Sequence, residues 1–122
     1  MAGQLTIDTL KASSGVLATQ NGMTGIAKAW VQFNGSGTIA SSFNVSSITR
    51  NGTGDYTINF STTLANANYC CVGTSTYNTA QLGTWAFPYS SAPTTSAARV
   101  ATYSYLFNPQ DNGYNNFAFF GA

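Results

Sequence analysis

The chain has 122 residues, the size of a single domain, and only 6% of them are charged, with a formal net charge of +1. That balance offers no basic face for a counterion-release grip on nucleic acid. There is no histidine, and the three acidic residues are Asp8, Asp55 and Asp111; a catalytic triad, a His-based metal site and a glutamate acid/base pair are therefore excluded.

In chain order, the start "MAGQLTIDTLKASSG" has neither a basic leader nor an apolar run of signal-peptide length. No stretch is apolar for long enough to span a bilayer, so no membrane insertion is expected. Synthesis in a cytosol, without the usual export, follows. Leu5, Ile7 and Leu10 make one short alternating piece, and "VLATQNGMTG" reads as a linker. Residues 1–25 are thus predicted to form an arm that packs on a partner or on its own oligomer. Residues 26–122 form the domain proper.

"IAKAWVQFN" alternates Ala29, Val31 and Phe33 against Lys28, Trp30 and Gln32, the period-2 pattern of a strand. "NGSG" at 34–37 turns it into "TIASSFNVSSI", read as the next strand, with Phe43 and Val45 in alternation. "ITRNGTGDYTINF" (48–60) is a hairpin: Tyr56, Ile58 and Phe60 alternate with Thr57 and Asn59, and residues 51–55 are the loop, slightly longer than a two-residue turn. Asp55, and Asp111 in "PQDNGY", are expected to cap their own turns. After "LANANY", room for one turn at most, come "NYCCVGTST", "GTWAFPYSSAP", "RVATYSYLFN" and "NFAFFGA". No segment keeps a helical period over ten residues. The pattern predicts an all-β fold of about seven strands, an antiparallel β-sandwich or barrel of jelly-roll-like form with an extended N-terminal arm.

Cys70 and Cys71 are adjacent, point to opposite faces of a strand, and are read as small buried apolar residues without a disulfide. With no histidine to act as base, neither is a catalytic nucleophile. No enzyme is expected, and no cofactor. "NPQDNGYNN" (108–116) is oxygen-rich, but one carboxylate is few for Ca²⁺, and a loop capped by its own side chains is the simpler reading. Phe33, Phe43, Phe60 and Phe107 fall on alternating positions and are assigned to the core. Alternation weakens over 77–89. Tyr77, Trp85 and Tyr89 there, with Tyr103 and Tyr105 on "ATYSYLF", are the candidates for an outward aromatic platform, suited to sugar rings or to a subunit interface, with core packing as the competing role.

The stretch from residue 26 to 69, with its "KAWVQFNGSGT" strand and turn, "SFNVSSI", "NGTGDYTINF" and "ANANY", closely resembles a module of tail-fibre-type proteins of tailed bacteriophages, frequent in short-tailed phages of cyanobacteria and other aquatic hosts. "LTIDTLKASSG" is similar to the lead-in that often precedes it. The likeness covers roughly the first 70 residues. It differs in two respects: the chain has no separate anchoring domain or shaft, and "IASS" is neutral where the family often carries a charge. The resemblance implies a non-enzymatic virion protein, assembled in the host cytoplasm and displayed on the particle surface as a homotrimer. In that reading the arm contacts other virion proteins, and the C-terminal half meets host surface carbohydrate. The alternatives are a decoration or cement protein of the phage head and, in another class, a free carbohydrate-binding module.

Overall fold

The computed structural model describes Gly3 and residues 25–78 and 81–121. The predicted arm, residues 1–25, lies outside the described residues apart from Gly3 and Gly25. All the named elements are strands: β1 (Ala29–Phe33), β2 (Ile39–Phe43), β3 (Val45–Gly52), β4 (Asp55–Phe60), β5 (Cys70–Asn78), β6 (Gln81–Ala86), β7 (Ala97–Ser104) and β8 (Tyr114–Phe120). They form one antiparallel sheet in the order β2-β1-β8-β5-β6-β7-β4-β3. This sheet folds over into a sandwich that is nearly a barrel. β6 is the hinge between the layers: its start pairs with β5, through Leu82 opposite Thr76, and Gly83–Ala86 pair with β7. The expected all-β sandwich is the fold found. Among the described residues no helix is long and apolar enough to cross a membrane.

On the opposite side the layers meet at Asn44, which separates β2 from β3. Its φ of 55° is left-handed, a conformation that Asn tolerates better than most residues. Its side chain fixes the corner: Nδ2 donates to the carbonyls of Lys28 and Thr62, and Oδ1 accepts from the Thr62 amide at 2.7 Å. This corner overturns the reading of "TIASSFNVSSI" as one strand. Phe43 and Val45 are two apart in sequence but lie on different strands across a reversal, so Val45 is buried while Phe43 stands 53% exposed on the outside.

Ala29, Val31 and Phe33 of β1, Tyr56, Ile58 and Phe60 of β4, Ala98 and Val100 of β7, and Phe117 and Phe119 of β8 supply the core. The alternation that predicted Tyr56, Ile58 and Phe60 as buried holds. Their rings pack edge to face: Phe33 on Tyr56 at 5.1 Å between centroids, and Phe60 on Phe119 at 5.2 Å. Burying each such side chain stabilises the fold by about 1.5–3 kcal/mol. Two further core assignments are corrected. Phe107 lies beyond the end of β7 in a turn, at φ 63° and 76% exposed, so strand periodicity no longer governs it. Cys70 is exposed and Cys71 only partly buried; they do face opposite sides, and both are free thiols.

Candidate interaction surfaces

One end of the barrel carries the β1–β2, β3–β4 and β5–β6 turns and the β7–β8 loop, and a single carboxylate ties three of these together. Asp111 Oδ1 accepts from the Gly54 amide at 2.8 Å and lies 2.9 Å from the Tyr56 hydroxyl. That hydroxyl is also 2.7 Å from the Gly35 carbonyl and shares its one proton between the two acceptors. Asp111 Oδ2 accepts from Arg50 Nη2 at 2.7 Å and Nε at 3.0 Å. Asp111 thus braces a neighbouring turn instead of capping its own, and the expectation of local capping is corrected. Asp55, at the start of β4, also reaches beyond its own hairpin: it takes both arms of the Arg99 guanidinium of β7 at 2.6 and 2.9 Å, and its Oδ1 accepts from Asn51 Nδ2 across the turn as well. The hairpin loop is also shorter than expected. Gly52 pairs with Asp55, leaving a two-residue turn, and a register shift between Arg50 and Gly52 absorbs the extra residue. Two other members of the oxygen-rich stretch turn inward: buried Asn112 and Asn115 bond Ser75 and the carbonyls of Tyr103 and Phe33.

Both carboxyls are held below the ordinary carboxylate range. At Asp111 burial works in the opposite direction and is outweighed by Arg50, the Gly54 amide and Tyr56; at Asp55 the hydrogen bonds from Arg99 dominate. A carboxyl whose folded pKa is depressed contributes stability that is present above its unfolded value, about 4, and is lost as pH falls through the folded value. Tm is therefore expected to be flat from neutral pH to about pH 5 and to drop below about pH 4. Asp111→Asn should flatten part of that acid limb in a melting series.

From this braced end the β7–β8 loop projects. Ser104 and Asn108 close its neck: the Ser104 amide donates to the Asn108 carbonyl at 2.9 Å, and Ser104 Oγ accepts from the amides of Leu106 and Asn108. Tyr105, Leu106 and Phe107 stand outside it, 60% or more exposed. Tyr77 at the end of β5 is also exposed.

The five aromatic candidates separate into three settings. Tyr77 and Tyr105 belong to the loop end. Tyr89 and Tyr103 lie together over the outer face of β7, ring centroids 6.5 Å apart, with the Arg99 guanidinium 5.8 Å from the Tyr89 ring. Burial and the neighbouring Tyr89 hold the Tyr103 hydroxyl above its ordinary pKa. Trp85 is not on the outside. It packs against the core with its ring 5.0 Å from Phe117, edge to face, and its indole N–H donates to the Gly73 carbonyl at 3.2 Å. The expectation that weak alternation over 77–89 turned Trp85 outward is corrected: the irregularity lies in the β5–β6 register shift and in the departure of the chain after Ala86.

The outer faces of the two layers differ sharply. On β3 and β4 the face is a ladder of polar side chains, in which Asn59 Nδ2 bonds Ser47 and Thr49 and Asn51 Nδ2 bonds Thr57 and Asp55. On the β2-β1-β8-β5 layer the register aligns Phe43, Trp30, Ala118 and Val72 in one row across four strands. Phe120 lies opposite Cys70 on one side of that row; on the other come Gln32, Asn116 and Thr74. Trp30 is 39%, Val72 50% and Phe43 53% exposed. A shallow groove of about 520 Å³ lies between Trp30 and Val72, floored by Ala118 and extending over Gln32, Asn116 and Thr74. Sequence alternation had already placed Trp30 opposite the core residues of β1. Val72 had no such signal, because its partner Ala118 is remote in sequence, and Phe43 was assigned to the core because its alternation was counted through Asn44. Comparison with protein-family models, curated proteins and solved structures finds no match for this chain.

Proposed function

We propose that this chain is a non-enzymatic structural protein of a tailed-phage particle, a homotrimeric, tail-fibre-like appendage that meets the host surface through the loop end of its barrel. The observation that carries the reading is the braced loop end, where Tyr105, Leu106 and Phe107 are exposed on a loop tied down through Asp111 and Ser104 and Tyr77 is exposed beside it at the end of β5. Tyrosine has few rotatable side-chain angles, so on a braced backbone it loses little conformational entropy when it binds, as recognition surfaces require. Sugar faces and hydroxyls suit the two tyrosines, and host glycan is the ligand class we assign. The phage setting rests on the resemblance of residues 26–69, and the arm at residues 1–25 is the attachment to other virion proteins.

Electron microscopy of particles carrying a tagged chain tests the location. Label at the tail is expected; label spread over the head would replace this reading with a cement protein. The double variant Tyr105→Ser, Leu106→Ser is expected to lower host-cell adsorption at least about tenfold, as loss of a hot spot does. Because both side chains are exposed, its Tm should stay within about 2 °C of wild type. Normal adsorption by the folded variant would remove the loop end from recognition.

A further inference from the structure

We infer that the outer face of the β2-β1-β8-β5 layer is a self-contact face, covered in the assembled protein by a neighbouring copy of this chain. The inference gives a place to the assembly in the function proposed above and rests on that part of it. Two observations select the occupant. First, the face is apolar along the Phe43-Trp30-Ala118-Val72 row, and Lys28, just before β1, is the charged residue at its margin. A partner seated there must bring almost no charge, since a buried unpaired charge is strongly unfavourable. Second, this chain's own surface meets that condition. Four of its seven charges are tied into the Arg50–Asp111 and Arg99–Asp55 pairs, at the loop end and on the opposite layer.

In the closed ring proposed above each copy gives this face to one neighbour and a different surface to the other, so every protomer is held by two contacts.

Cys70 is a native reporter, exposed on this face opposite Phe120. Cys71 faces inward, where burial pushes its thiol up to about 12 and disfavours the reactive thiolate. The test combines sedimentation with maleimide labelling of the full-length chain, for wild type and for Trp30→Lys, Val72→Lys and Thr57→Lys. Wild type at micromolar concentration is expected to sediment at three times the 12.8 kDa chain mass. Its Cys70 should react at least about tenfold more slowly than in the Trp30→Lys and Val72→Lys proteins, which should sediment as monomers. Thr57→Lys, on the polar layer, should behave as wild type. A monomeric wild type overturns both this inference and the assembly proposed above. An oligomer whose Cys70 reacts at the rate of a free thiol, or one that persists in Trp30→Lys and Val72→Lys, overturns the face alone. Tag position on particles bears on the virion reading separately.

Discussion

Gly54→Val is expected to destabilise the protein by about 3 kcal/mol or more, lowering Tm by roughly 10 °C, whereas Gly52→Ala should leave it unchanged or slightly more stable. Gly52 borders the turn and Gly54 lies in it, yet the two look equivalent in "NGTGDY". They differ in what surrounds them. Gly54 has φ 66°, where a β-carbon alone costs about 1 kcal/mol, and that carbon would overlap the Thr102 carbonyl oxygen and the Gln110 amide. Both are backbone atoms. The Thr102 amide donates to the Gly54 carbonyl at 2.8 Å, so neither chain can retreat without breaking that bond. At Gly52 an added carbon meets nothing within 4 Å. Thermal melts of the two single variants check this directly; equal losses would mean that the turn is not held against β7 as described.

Trp85→Ala should cost about 3 kcal/mol of stability, the lower end of the range for truncating a large aromatic, because the ring is partly rather than wholly buried. The substitution removes the edge-to-face contact with Phe117 and leaves the Gly73 carbonyl without its indole donor. Tyr77→Ala, on an exposed ring of the preceding strand, should change stability by no more than about 0.5 kcal/mol. Denaturant titration of both variants separates the roles. A Trp85→Ala protein as stable as wild type would put the indole outside the core after all.

Much of this fold was legible because a strand with one buried face writes its burial into every second residue. β1 and β4 could be read with the correct side chains inward, and the turns at 34–37 and 51–55 carried their usual residues. Reading failed where alternation crossed a break. Phe43 and Val45 sit on either side of the left-handed Asn44, and Tyr103 and Phe107 on either side of the end of β7, so equal spacing did not mean an equal face. The exposed apolar row was out of reach for a different reason. Phe43 and Trp30 share a hairpin, but Ala118 and Val72 join them only through the pairing of β8 with β1 and β5, strands far apart in the chain. Among the predicted aromatics, Tyr77 and Tyr105 stand outward, Tyr89 and Tyr103 cover β7, and Trp85 turned in because the irregular stretch around it was a shift of register, not a loss of strand.

The position of β8 between β1 and β5 governs the order in which this molecule can be built. Residues 114–120 supply the backbone partners of both neighbours, so β1 and β5 cannot find their places on a ribosome that has released only the first hundred residues. Until then the nascent chain holds two facing strand edges with unmet amides and carbonyls, and the inner face of β8 with Phe117 and Phe119 is still to come. Closure is a late, long-range event, and such topologies fold slowly. Chains interrupted before residue 114 would expose those edges to one another, which is the route to aggregation.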